Sequence, residues 1–184
     1  MTNARALGTL ALAAAITLGL CVCGPRPADG MEDRLTLAPP SEPGTPLVID
    51  GTLLGPDGDP LPDTEVRVYQ TDAEGYYARG EDGKDLGWRH ARLDGTLRTD
   101  DRGRFRVRTI RPAGYPDRPT PQHVHFRLTT PEGSEKELTL FFEDDPRLTP
   151  GLRQELERWD VTFFRPVETG DDGSQRCTVE LRLP

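Results

Sequence analysis

From Leu47 onward, hydrophobic and polar residues alternate in short runs, and each run predicts a β-strand. Successive strand side chains point to opposite faces, so residues two apart share a face. Leu47–Leu54 opens the series, and Thr64–Gln70 follows with Val66 and Val68 turned inward. In Gly103–Thr109, Phe105 and Val107 share one face while Arg104, Arg106 and Arg108 share the other. The next stretch, Thr109 to Thr129, reads TIRPAGYPDRPTPQHVHFRLT and closes in a strand with Val124, Phe126 and Leu128 on its apolar side. Glu137–Phe142 groups Leu138, Leu140 and Phe142; Val161–Phe164 and Cys177–Leu183 complete the set. Turn sequences such as DGD, DDRGR and DDGS separate the runs. One short helix is predicted over Pro150–Trp159, with Thr149 as N-cap and Pro150 at the first helical position. The pattern predicts an all-β fold, a β-sandwich of about seven to eight short strands with one short helix.

The N-terminal part lacks this alternation. Residues 1–24 carry a single charge, Arg5, ahead of an uncharged run from Ala6 to Gly24, which reads as an export signal. Cys21 and Cys23 lie in sequences resembling a lipoprotein box, so a lipoprotein signal is the variant reading, and an uncleaved anchor is a third. Residues 25–46 are polar and proline-rich and read as a tether. The sandwich is then expected over 47–184, exported to the periplasm, lipid-anchored or extracellular, with a membrane tether where the N-terminus is lipidated or retained.

Composition agrees with short strands and tight turns: 18 prolines, 19 glycines and only 34% hydrophobic residues in 184. The net charge of −8 disfavours a nucleic-acid partner, because phosphates repel such a surface. Three cysteines make no disulfide framework, and Cys177, alternating with Val179, Leu181 and Leu183, reads as an inert core thiol. Oligomeric state is left open.

Candidate chemistry concentrates on the polar side of the Thr109–Thr129 stretch. The chain has three histidines, and two of them, His123 and His125, face the same way one pleat apart with Arg127 beyond. An H-x-H pair on a strand can converge on one ion, and imidazole suits Zn, Cu, Fe and Ni alike. The pair alone does not choose among them. His90, Trp88 and Trp159 read as packing or surface residues.

Four segments together resemble the intradiol ring-cleavage dioxygenases, the protocatechuate and catechol dioxygenase family, in its short exported form. They are GTLLGPDGDPLPDTEVRVYQTDAEGYYARG, RTDDRGRFRVRTIRPAGYP, PQHVHF and LFFEDDP, covering about Val48 to Pro146. The resemblance implies a β-sandwich with a mononuclear Fe(III) held by two tyrosines and two histidines. Carried over by position, the ligands are Tyr77, Tyr115, His123 and His125, with Tyr76 the neighbour of the first. It also implies a small-molecule catechol-type substrate, which displaces Tyr115, and O2, with the ring opened to a muconate-type diacid. Two phenolates would offset much of the ferric charge, which is why the site needs tyrosines.

Two positions depart from the family pattern. The family arginine three residues before the first histidine is Thr120 here, and Arg118, five before, is the candidate to stabilise the activated substrate. The family glutamine ahead of the FEDDP turn is Thr139. These departures keep a second function open, a non-catalytic sandwich module with a vestigial metal site. A zinc site at H-x-H is a third, and it lacks an obvious carboxylate or third histidine to complete it.

Overall fold

The computed structural model describes residues 34–183, and the leader reading of residues 1–24 lies outside them. Among the described residues ten strands form two five-stranded sheets. The first has the order β1 (Arg34–Thr36), β5 (Arg104–Ile110), β2 (Pro46–Leu54), β10 (Gln175–Arg182), β9 (Glu168–Thr169). The second runs β4 (Leu93–Arg98), β3 (Glu65–Gln70), β6 (His123–Thr129), β7 (Glu135–Phe142), β8 (Thr162–Arg165). The fold is an all-β sandwich. Its core is the set of inward residues that alternation predicts: Ile49 and Leu53 from β2, Val66 and Val68 from β3, Phe126 and Leu128 from β6, Leu138 and Leu140 from β7, Cys177 and Val179 from β10. Burial pushes the Cys177 thiol up to about 11, so it stays protonated and unreactive there.

Two local features shape the interior, the first within a sheet and the second between the sheets. Phe105 of β5 lies over Gly51 of β2, its register partner, and a Cβ at that glycine would sit 2.1 Å from the ring. At the end of the sandwich the buried Gln70 amide donates to the Ile110 carbonyl (2.9 Å) and accepts from the Thr109 hydroxyl (3.0 Å), tying β3 in one sheet to β5 in the other.

Three strands exceed the expected set. β1 falls inside the stretch 25–46, so that stretch is not a free tether from Arg34 on: β1 runs parallel to β5, and Leu37 and Ala38 are buried in the core. Three residues and many prolines are too short a pattern to announce a strand. β4 escapes because its buried residues, Leu93 and Leu97, are four apart with Gly95 between them, where Leu35 packs in place of a side chain. β9 has two residues, both exposed. The helix, α1 (Pro150–Leu156), starts as expected, with the Thr149 side chain accepting from Leu152 N–H. It ends before Trp159 in a tightened turn, where the Leu156 carbonyl accepts from Trp159 N–H (3.0 Å) and from the Thr162 hydroxyl (2.6 Å). No helix among the described residues is long and apolar enough to cross a membrane.

Candidate metal centre

The site forms where β6 meets two loops, 71–77 after β3 and 111–122 after β5. On the outer face of the second sheet, β6 lies between β3 and β7, with His125 opposite Tyr69 on one side and Thr139 on the other. His123 is on the same face, yet it is only 3% exposed, because its ring is covered by Tyr115 (centroids 5.0 Å) and Phe141 (5.5 Å). The two imidazoles stand edge to face at 4.9 Å. Tyr77 is 4% exposed and brings its hydroxyl 2.7 Å from that of Tyr115. Tyr76 turns away and stacks under Arg79 at 3.9 Å. Tyr77 is thus the member of the tyrosine pair that joins Tyr115 and the two histidines.

Hydrogen bonds fix which atom of each ring is offered. The Pro121 carbonyl can only accept, so His123 Nδ1 donates to it at 2.7 Å, leaving the Nε2 lone pair toward the Tyr115 hydroxyl at 3.1 Å. Tyr115 then donates to Nε2 and accepts from Tyr77. For His125, Nδ1 lies 3.2 Å from the Thr139 hydroxyl, so Nε2 is the nitrogen left free. Burial lowers the affinity of both imidazoles for a proton: His123 shifts down, and His125 falls to about 3, with His123 adding to the effect. Both are therefore neutral at neutral pH, the form that ligates metal. Burial also raises both phenols above their ordinary value, Tyr77 further because Tyr115 is beside it. Only a strong nearby cation would draw off those protons.

The loops meet backbone to backbone at Gly75, and Gly114 lets the second loop fold tightly on itself. Gly75 has φ +90°, and a Cβ there would lie 2.3 Å from the Gly114 carbonyl; a Cβ at Gly114 would lie 1.9 Å from the Thr120 carbonyl. Thr71 donates to the Ala113 carbonyl (2.7 Å), and Ala113 N–H donates to that of Asp72 (2.9 Å). Asp85 accepts from Tyr77 N–H at 2.9 Å. The second loop is held from below: the buried Asp145 carboxylate accepts from Gln122 and Arg147 N–H, and Arg147 donates to the Tyr115 and Thr120 carbonyls. Sequence reading missed Gly75, Gly114, Asp145 and Arg147 as site residues. Each stands inside or beside a quoted motif, so the motifs carried the signal, but their partners become visible only when the loops are side by side.

Arg118 is 64% exposed at its side chain and lays its guanidinium on the Tyr115 ring at 4.4 Å. Thr120 contributes only its backbone to the loop contacts named here. Thr139 sits directly behind His125. His90 is exposed in a 3-10 turn (Trp88–His90), and Trp159 is exposed as well. Among the described residues no group of three or more His, Cys, Asp or Glu could hold a metal, so the converging donors are the mixed set of two phenols and two imidazoles. Hard phenol oxygens with imidazole nitrogens, already gathered around one point, fit a hard and highly charged ion such as Fe(III).

The sequence profile of the Dioxygenase family matches residues 24–158, more than half of the chain. Catechol 1,2-dioxygenase of Acinetobacter baylyi is 32% identical over 45% of this chain and 31% of its own length. The protocatechuate 3,4-dioxygenase beta chain of Burkholderia cepacia is 35% identical over 57% of this chain and 48% of its own. The chain thus spans about a third to a half of the curated relatives it matches. Among solved structures it resembles the dioxygenase domain of a dioxygenase carbohydrate-binding protein fusion from the cellulolytic bacterium Streptomyces sp. SirexAA-E, with 25% identity and a TM-score of 0.62. That match covers 87% of this chain and 93% of the domain. By profile, by relatives and by fold, the chain belongs to the intradiol ring-cleavage dioxygenase family.

Proposed function

We propose that this chain is a non-haem Fe(III) dioxygenase that opens a catechol-type ring between its two hydroxyl-bearing carbons, taking up O2 and giving a muconate-type diacid. One observation carries the reading: Tyr115 Oη lies 2.7 Å from Tyr77 Oη and 3.1 Å from His123 Nε2, with the His125 ring 4.9 Å from that of His123. Members of the family use non-haem Fe(III), and here the ion would act as a Lewis acid on the two catechol oxygens. Tyr77, His123 and His125 hold the site together. By resemblance to the family, Tyr115 is the donor that the substrate would displace, and its Oη would then take up a substrate proton. Arg118 offers a fork of N–H donors beside Tyr115, in reach of charge developing on the bound catecholate.

The test is metal content together with oxygen uptake on catechol. One iron per chain, a red to burgundy colour from phenolate-to-iron charge transfer, and catechol-dependent O2 consumption are expected. Zinc at full occupancy, or no metal, would overturn the iron centre. An iron-loaded protein that turns over no catechol-type substrate would favour the binding-module reading. Arg118→Ala should keep iron and colour while slowing turnover by about 10²–10³-fold, the usual cost of one such donor.

We also propose export, which the uncharged Ala6–Gly24 run supports. Cell fractionation of a C-terminally tagged chain checks it, and a cytosolic species retaining Met1 would refute it.

A further inference from the structure

Behind His125 lies a charged cluster for which the chemistry above has no use. Glu137 and Arg127 are register partners on β7 and β6, and Arg127 donates to Glu137 Oε2 at 2.9 Å. From the opposite side, the Tyr69 ring stacks on the His125 ring at 4.6 Å and 12°. Its hydroxyl then reaches Glu137 Oε1 at 2.7 Å. Since Tyr69 stands on β3 and Glu137 on β7, this bond crosses β6 in the gap between His125 and Arg127. The same Oε1 is 3.6 Å from His125 Nδ1, close behind the Thr139 hydroxyl at 3.2 Å. Trp88 packs on the far face of Tyr69 (5.8 Å), and Arg127 lies over Trp88 (5.5 Å). The carboxylate is therefore held on two sides, with its charge beside the imidazole N–H that does not face the site.

We propose that Glu137, fixed by Tyr69 and Arg127 and acting together with Thr139, is a positioning residue for His125. It holds the ring as the Nδ1–H tautomer and strengthens Nε2 as an electron donor to the metal. The general reason is that a ligand histidine whose second nitrogen donates toward a carboxylate or hydroxyl is fixed in orientation and becomes more basic; losing that partner typically costs about 10–100-fold in metal affinity. Here a carboxylate, a hydroxyl and a stacked phenol surround one imidazole. The inference rests on the metal-site reading for its effect on iron, but its first half concerns the protein alone.

The test uses the full chain with Glu137→Gln, Tyr69→Phe and Glu137→Asp, and Glu135→Gln on the same strand as control. Nitrogen-15 NMR of the histidines in metal-free protein should show His125 as the Nδ1–H tautomer in the parent, with the Nε2–H form gaining in Glu137→Gln and in Tyr69→Phe. After loading with Fe(III), both variants should lose iron to EDTA about 10–100-fold more readily. Their charge-transfer band should move to longer wavelength, because a weaker nitrogen donor leaves the metal a better electron acceptor. Glu137→Asp should recover part of both effects, and Glu135→Gln should match the parent. A parent His125 in the Nε2–H form, or a Glu137→Gln protein with unchanged tautomer, iron retention and band, would overturn the proposal. A parent that takes up no iron would instead sink the dioxygenase reading, and the tautomer would still decide the role of Glu137.

Discussion

Tyr77 and Tyr76 are adjacent in sequence and opposite in environment, and this contrast sets the sharpest test at the scale of residues. Tyr77→Phe removes an oxygen that lies 2.7 Å from Tyr115, whereas Tyr76→Phe removes one from a ring whose contact is the exposed Arg79. Iron retained after dialysis should drop in Tyr77→Phe by more than the roughly 10–100-fold typical of an outer partner, and should be unchanged in Tyr76→Phe. The histidines permit a second test, without metal. His125 binds a proton only near pH 3 when folded, but near its ordinary 6.5 when unfolded. Between those values the unfolded chain binds more protons, so metal-free stability is full above about pH 6.5 and falls as pH drops toward 3. His125→Asn should flatten that fall in denaturant titrations across the window. The four candidate ligands were legible because each lies in a contiguous motif, and strand alternation is local enough to give both histidines their direction. Glu137 was not legible, since its meaning depends on the β6–β7 register and on a tyrosine from β3.

At the scale of elements, the site depends on how closely two loops can approach. Gly75 faces the Gly114 carbonyl with no room for a methyl group. Gly75→Ala should therefore push the Tyr115 loop off the Tyr77 loop, and iron uptake should fall well before the fold is lost by circular dichroism. A separate prediction concerns the stitch between sheets. Gln70→Leu keeps the volume but leaves the Ile110 carbonyl and Thr109 hydroxyl without their partner, at an expected cost of about 1–3 kcal/mol by chemical denaturation. Of the strands, those with three or more alternating apolar residues were readable to within a residue or two at each end. β1 and β4 were not, because Leu35 and Gly95 fit each other across two elements, and neither segment alone shows the pattern.

For the whole molecule, the boundary of the sandwich lies earlier than alternation suggests. Arg34–Thr36 pairs with β5, and Leu37 follows into the core. A chain starting at residue 40 should lose a few kcal/mol relative to one starting at 33, at about 1.5–3 kcal/mol per buried leucine, seen as a lower melting temperature. The parallel pairing of β10 with β2 has a different consequence, one in time. Gln175 aligns with Leu47 and Arg182 with Leu54, so one edge of β2 stays unpaired until β10, far along the chain, has been made. Contacts that distant in sequence close slowly. The strands beneath the two histidines, β3, β6 and β7, are complete much sooner. The sheet that carries the candidate site can thus close before the other gains β9 and β10, and a nascent chain stalled short of β10 would leave the edge of β2 unpaired and open to association.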